Sequence, residues 1–383
     1  MSEFKNLLTE WRHWLHMHPE YALEEVETPA FIAARLREMG IEVEEHVGKT
    51  GVVGTLKCGS GSKVVGLRAD FDCIKLDEMN DCEYKSQNPG YMHACGHDGH
   101  ATALLGAAKL LSESRDFDGT VRFVFQPGEE PGWGARAMLQ DGLLERFPMD
   151  EIYGLHNHPM LPGGSLATAP GGYCSAEDNF KIVIKGRGGH ASQPNVVIDP
   201  LVIASQIILA LQTIVSRNTP PLQTSVVSCT EMFTDGNHNA IPSTVTILGD
   251  CRSYSPEISA MIEKRMREIV SGTCAAHGAE FDFEYTHEFV PTVNHACAVD
   301  TMALAASNIL GAENVNANAE PVPFSEDFGL YIEAIPGAFA LYGTHRGDGT
   351  DTPLHSPRFD FNDDYLESTA KVYAEIAKVA LSK

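Results

Sequence analysis

Cys95, His97, Glu130, His156 and His355 are far apart in the chain, yet each stands at the end of an apolar strand-like run or in a Gly/Pro-rich turn. The first two belong to Tyr91-Met92-His93-Ala94-Cys95-Gly96-His97-Asp98-Gly99-His100, and the third to Gln126-Pro127-Gly128-Glu129-Glu130. A thiolate, imidazoles and a carboxylate are the donors that a zinc-like ion takes. Glu129, one residue before Glu130, adds a second carboxylate, suited to act as general base toward a water held there. These residue types point to metal-activated hydrolysis.

Such groups converge only if the elements that carry them do. Apolar runs over 41–46, 51–57, 64–69, 121–125 and 152–155 predict strands. Helical patterns cover 3–17, a segment opened by Thr28-Pro29 and closed by Gly40, 101–111 and 135–144. The 64–69 run is nearly continuous in apolar residues, as expected of a strand buried on both faces. Strands alternating with helices imply an α/β fold with a mostly parallel sheet between helices. In such a sheet, sites gather beyond the carboxyl ends of the strands. Asp70 and Asp72 follow 64–69, Glu129 and Glu130 follow 121–125, and His156 follows 152–155, so three strand ends carry acidic or imidazole groups.

From 178 to 290 the order changes. Strands over 180–185, 224–232, 244–254 and 280–285 are separated by helices over 200–215 and 256–276, the latter with Met261, Ile262, Met266 and Ile269 on one face. Strand, helix, strand, strand, helix, strand is the ferredoxin-like order. After Pro291 the alternation resumes, with a helix over 300–310, a strand over 338–341 and a helix over 363–380. Residues 1–177 and 291–383 are therefore expected to form one domain and 178–290 a second, inserted one.

The chain has 383 residues, too many for one core as a rule, with 28 Lys and Arg against 52 Asp and Glu, a formal charge of −24. Phosphate binding needs a basic face, so nucleic acid is excluded as the expected partner. No run reaches the roughly 18 apolar residues of a membrane span, and Met1-Ser2-Glu3-Phe4-Lys5 lacks a secretory pattern. Nine irregularly spaced cysteines read as free thiols, which suits the cytoplasm.

Eight motifs in order resemble those of the aminoacylase and carboxypeptidase superfamily of dinuclear metallohydrolases, in its branch of hippurate hydrolases, N-acyl-amino-acid amidohydrolases and indoleacetyl-amino acid hydrolases. They are Leu15-His16-Met17-His18-Pro19-Glu20, Leu67-Arg68-Ala69-Asp70, Met92 to His100, Phe125 to Glu130, Gly186-Arg187-Gly188-Gly189-His190-Ala191, Asn239-Ala240-Ile241-Pro242, Ser325-Glu326-Asp327-Phe328 and Leu354-His355-Ser356-Pro357. The resemblance implies a zinc-exopeptidase-like catalytic domain with an inserted dimerisation or lid domain. It also implies two divalent metal ions per subunit, zinc or manganese. Cys95 would bridge them, Glu130 and His355 would complete one site, and His97 and His156 the other. Glu129 would be the base and His190 the donor to the substrate carbonyl. Asn239 and Arg252 would hold the free carboxylate of an N-acyl-L-amino acid. A homodimer or higher homo-oligomer is implied because His190 commonly serves the partner's site.

Each reading has a plainer competitor. Cys95 and His97 could be ordinary residues at a helix start, and His158 competes with His156. His93 and His100 read as structural hydrogen-bonders, Asp98 as orienting His97 or stabilising a helix N-terminus, and 360–364 as an acidic helix start. Asp70 and Asp72 read either as supports for the histidines or as solvated groups. Relatives depart from this chain at Cys73-Ile74-Lys75-Leu76 and at Asn195, which bears on specificity, as does Trp133, expected either in an acyl pocket or packed beneath its turn. A dipeptidase or carbamoylase with the same centre, and a non-catalytic small-acid-binding paralogue, are the rival functions.

Overall fold

The computed structural model describes residues 2–383 and divides into two compact units. One runs to Tyr173 and resumes over Val293–Pro321 and Asp327–Lys383; the other comprises Cys174–Thr292 and Val322–Glu326. The short return segment differs from the single continuous insert expected. It is drawn in because the Ser175 N–H donates to the Phe324 carbonyl and Cys174 bridges to Val322.

In the first unit, eight strands form one sheet in the order Glu42–Val47, Gly51–Cys58, Gly119–Gln126, Val64–Asp70, Glu151–His158, Gly337–Gly343, Leu166–Ala167, Val315–Asn316. The four central strands, Gly119–Gln126 through Gly337–Gly343, run parallel. The two at the Glu42–Val47 edge are antiparallel, because only the short turn at 48–50 joins them. All but the first residue of Val64–Asp70 are buried, Arg68 included, as its nearly continuous apolar run predicts.

Helix His97–Ser114 is buried almost all round through its first three turns, and its small residues explain how. At Gly99 an added Cβ would press into the Phe361 ring, and at Gly106 into Ala370 and Leu8. Helices Glu3–Met17 and Leu366–Leu381 thereby pack directly on it. Helix Glu27–Glu38 starts without a side-chain cap from its own N-cap Val26. Instead the Glu20 carboxylate accepts the N–H groups of Val26, Glu27 and Thr28 at 2.8–3.0 Å, satisfying donors that a helix start leaves open.

The second unit is an antiparallel sheet in the order Ser225–Thr234, Thr244–Ser253, Glu177–Lys185, Glu280–Phe289. Glu177–Lys185 and Thr244–Ser253 alternate in burial, so Phe180, Ile182, Ile184, Val245, Ile247 and Cys251 face one side. Helices Pro200–Thr213 and Pro256–His277 cover that side, completing the ferredoxin-like arrangement. Ser255 caps the second helix and Gly278, at φ 69°, ends it. The segment Pro200–Asn218 is long and apolar enough, by length and composition, to cross a membrane, which the reading of apolar runs did not register. Its Ile203, Ile207, Leu211 and Ile214 belong to this unit's core.

Replacing Gly99 with Ala is expected to lower unfolding stability by about 1–3 kcal/mol in a denaturant titration, because Phe361 must leave its place; an unchanged midpoint would contradict the packing described.

Candidate metal centre

The ligand-type groups sit where the parallel strands and their following loops end. Cys95 lies in the segment before helix His97–Ser114, and His97 is that helix's first residue, four positions earlier than the helix start read from sequence. Gly96 makes the connection at φ 92°, and an added Cβ would press into the Asn157 side chain. Glu129 and Glu130 occupy the turn after Gly119–Gln126, and His156 is near the end of Glu151–His158. His355 adopts a left-handed φ of 62°, and its N–H donates to the Ala94 carbonyl at 2.8 Å, tying its loop to the segment of Cys95. A non-glycine residue held in that conformation is typical of functional loops.

Cys95, His97 and His156 bring one donor atom each to within 4.8 Å of one another, and so do Cys95, Glu130 and His355. Cys95 belongs to both groups. His97, Glu129 and Glu130 form a third, with His97 Nε2 3.9 Å from an oxygen of each carboxylate. His355 Nε2 stands 3.4 Å from Glu130 Oε2. All six are buried or partly so except His355, which is exposed.

The histidine tautomers are set from behind. His156 Nδ1–H donates to the Asn157 carbonyl at 2.7 Å, which leaves Nε2 as a bare nitrogen 3.4 Å from Cys95 Sγ. His97 Nδ1 lies 3.2 Å from Asp72 Oδ1, and the other Asp72 oxygen accepts the Glu130 N–H at 3.1 Å. One aspartate therefore orients two of the groups. Asp70 holds His100 Nδ1 at 2.6 Å and the Arg68 guanidinium at 2.6 Å. Arg68 reaches on to Gln126 at 2.8 Å and to Asp327 at 2.9 Å. Asp327 in turn accepts from Gln126 Nε2 and from the Ala135 N–H, one on each side of the glutamate turn.

The electrostatics follow from burial and these pairs. Burial opposes charge on Asp70, but His97, Arg68 and His100 outweigh it and hold the carboxyl well below the usual carboxylate range. Burial raises Asp72 more than His97 offsets. Burial also disfavours a charged His97, yet Asp70, Cys95 and Asp72 raise it well above an ordinary imidazole. His156 is pushed well down by burial and by His100, so it is neutral and ligand-ready. Burial and Glu130 push the Cys95 thiol up. Burial works against a charged Glu130, but His355 and His97 lower its pKa.

Two buried atoms at the middle of this cluster, His97 Nε2 and Glu130 Oε1, have no hydrogen-bond partner. Orphaned buried polar atoms are costly, and here both are good ligands facing thiol, imidazole and carboxylate donors. The donor set fits a divalent cation.

The remaining candidates sit on the second unit. Gly189–His190 pairs with Ala240–Ile241, and the Ala191 N–H donates to the Asn239 carbonyl, so His190 and Asn239 are neighbours in one exposed ribbon. His190 Nδ1 accepts the Ser192 N–H at 3.1 Å, which assigns the ring proton to the outward Nε2. Arg252 is already engaged, with Asp250 at 2.9–3.0 Å, Glu177 at 2.9 Å and Ser325 at 2.8 Å.

Several finer readings change. His158 lies outside every donor group, and its Nδ1 accepts the Met160 N–H. Asp98 does not orient His97; it pairs with His16 at 2.7 Å and with Arg12 at 3.7 Å, and Arg12 also binds Asp360 and Asp363. The acidic segment 360–364 thus neutralises a fully buried arginine. His100 is a hydrogen-bonder as expected, but neither His93 nitrogen has a partner, and burial lowers that ring to about 4. Trp133 is 49% exposed and does not pack beneath its turn. Sequence reasoning gave Arg68 and Asp327 no role; the signal was there in a charge embedded in the apolar 64–69 run, which must find a buried partner.

Because acidic neighbours raise the affinity of His97 and His355 for protons and burial raises that of the Cys95 thiol, cation binding is expected to displace protons. Titrating zinc into unbuffered protein should acidify the solution, and apparent affinity should fall as pH drops; pH-independent binding without proton release would contradict this expectation.

Residues 66–379 match peptidase family M20/M25/M40. The chain is 39% identical to the hippurate hydrolase of Campylobacter jejuni subsp. jejuni serotype O:2, covering 96% of this chain and 94% of that protein. It is 38% identical to the N-acetylcysteine deacetylase of Bacillus subtilis strain 168, covering 99% and 98%. Among solved structures, the Bacillus subtilis YXEP protein, described as a dinuclear metal binding peptidase from the M20 family, superposes with a TM-score of 0.86 at 33% identity over 99% of each chain. With relatives this similar along almost its whole length, the chain is a member of peptidase family M20/M25/M40 and a hydrolase that binds divalent metal.

Proposed function

We propose that this protein hydrolyses the amide bond of N-acyl-L-amino acids of the acetyl, benzoyl or indoleacetyl type, releasing a carboxylic acid and the free amino acid. The observation that carries the reading is the pair of three-donor groups sharing Cys95, with two buried ligand atoms unspent and Glu129 beside them. In this assignment Cys95, Glu130 and His355 would hold one cation, zinc or manganese, and Cys95, His97 and His156 would hold the other. The names of the Campylobacter and Bacillus relatives, a hippurate hydrolase and an N-acetylcysteine deacetylase, support an acyl amino acid as substrate.

When bound, the cations supply a water of lowered pKa and a polarised acyl carbonyl. The chain's own residues do the rest. Glu129, next to Glu130 on the turn but separate from the two donor groups around Cys95, accepts the proton of the attacking water as its oxygen bonds to the carbonyl carbon. It then delivers that proton to the nitrogen as the carbon–nitrogen bond breaks. His190, with its proton on Nε2, is assigned to donate to the oxyanion. Asn239 and Arg252 are assigned to the substrate's free carboxylate, Arg252 by exchanging Glu177 or Asp250 for it.

We assign the second unit to dimerisation. Its strand Ser225–Thr234 is a sheet edge, with Met232 and Phe233 exposed. Helix Pro200–Thr213 exposes Val202 and Leu209, two turns apart on one face, with Leu209 72% exposed. A second copy pairing edge to edge would cover both. Nine free cysteines favour the cytoplasm as its compartment.

Two variants test the assignment. Glu129→Gln should keep its metal and lose nearly all turnover of N-benzoylglycine, about 10²-fold or more; retained turnover would remove Glu129 as the base. Cys95→Ala should lose at least one cation by elemental analysis, and full occupancy would remove the shared thiolate.

A further inference from the structure

Beneath the turn that carries Glu129 and Glu130 lies a carboxyl that the chemistry above does not use. Glu25 is 2% exposed. Its Oε2 accepts the Thr50 hydroxyl at 2.7 Å, and its Oε1 accepts the Gly128 N–H at 3.2 Å. Gly128 is the left-handed residue of the Gln126–Glu130 turn, at φ 57°, and a Cβ there would stand 3.3–3.5 Å from Leu23 and Ala22. The loop bearing Glu25 is therefore in contact with the turn at the one residue that lets the turn reverse.

That loop is itself anchored. Glu20 caps the helix that follows it, the Glu20 carbonyl accepts the Cys73 N–H at 3.0 Å, and Tyr21 bridges to Cys73. The charged group facing Glu25 is Asp72, whose two oxygens serve His97 and the Glu130 N–H. Burial and Asp72 push Glu25 up to about 7, against the hydrogen bonds from Thr50 and from the backbone at Glu25 and Leu23. A buried carboxyl with one oxygen on Thr50 and the other on the Gly128 N–H ties its loop both to the residue before strand Gly51–Cys58 and to the turn.

We propose that Glu25 is a positioning residue for hydrolysis: through the Gly128 N–H it sets where the turn presents Glu129 and Glu130. The proposal rests on the amidohydrolase reading of the same centre. Glu129 must meet a water, and Glu130 a cation, from adjacent positions on one turn, so a shift of the turn misplaces both at once. A misplacement of about 1 Å is enough to cost about 10²-fold in rate.

The test uses the full chain with Glu25→Met, which fills the space without an acceptor, Glu25→Ala, and Glu25→Gln, whose side-chain oxygen can still take the Gly128 N–H. Each is loaded with cobalt(II) in place of its native cation, and the visible absorption of the cobalt reports the geometry around Glu130. In Glu25→Met and Glu25→Ala the metal content should match the wild type, the spectrum should shift, and kcat should fall about 10- to 100-fold with KM within about threefold. Glu25→Gln should restore the spectrum and bring kcat back to within about threefold of wild type. A wild-type spectrum and kcat in Glu25→Met would overturn the proposal, as would a Glu25→Gln variant no better than Glu25→Met. If the wild-type protein turns over no acyl amino acid, the substrate reading fails, while the cobalt spectra still decide the role of Glu25.

Discussion

Two buried aspartates at the end of strand Val64–Asp70 are the constraint around which the metal centre is arranged. A carboxylate cannot be left unpaired in a dry interior, so Asp70 and Asp72 must each find cationic or N–H partners. Asp70 finds Arg68 and His100, and Asp72 finds His97 and the Glu130 N–H. Satisfying these two charges fixes the start of helix His97–Ser114 and the turn after Gly119–Gln126 relative to one strand end. The placement of the donor groups is thus a by-product of neutralising buried acid. Arg68 extends the arrangement through Gln126 and Asp327 to Ala135, beyond the far end of the glutamate turn.

The backbone around these groups is shaped by close approach. Gly96 lets the chain enter the helix against Asn157, Gly128 reverses the glutamate turn against Leu23, and Gly134 lies so close to the Pro127 carbonyl that no side chain fits. His355 takes the left-handed conformation without being glycine, held by its bond to Ala94. The same small-residue logic lets helix His97–Ser114 sit deep in the first unit. Close backbone approach of this kind holds the carboxylate pair beside the two donor groups that share Cys95.

Much of this was legible in the chain. The apolar run over 64–69 announced a strand buried on both faces, and the acidic and imidazole residues following three such runs announced a shared site at the strand ends. The order of strand and helix patterns over 180–285 was enough to foresee the ferredoxin-like sheet. What escaped was whatever depends on distant partners. Helix His97–Ser114 starts at His97 itself because Gly96 can adopt φ 92°, which no periodicity reveals. Asp98 looked like a companion of His97, but Arg12 and His16, more than eighty residues away, claim it. The Glu27–Glu38 helix is capped by Glu20 rather than by a residue at its own start. Gly51–Cys58 reads like any buried strand, yet the short connection before it makes it antiparallel. Residues 322–326 joined the second unit through the Ser175 N–H bond to the Phe324 carbonyl and through Ser175 and Arg252 side chains that reach Pro323 and Ser325, partners far off in the chain.

Assembled by buried charge, these groups are expected to act as a cation-dependent amide hydrolase. Purified protein stripped of metal, then reloaded with zinc or manganese, is assayed for hydrolysis of N-acetyl, N-benzoyl and indoleacetyl amino acids. The stripped protein should show no turnover, and reloading should restore turnover of at least one of the three. Metal bound stoichiometrically with no turnover of any of them would contradict this expectation.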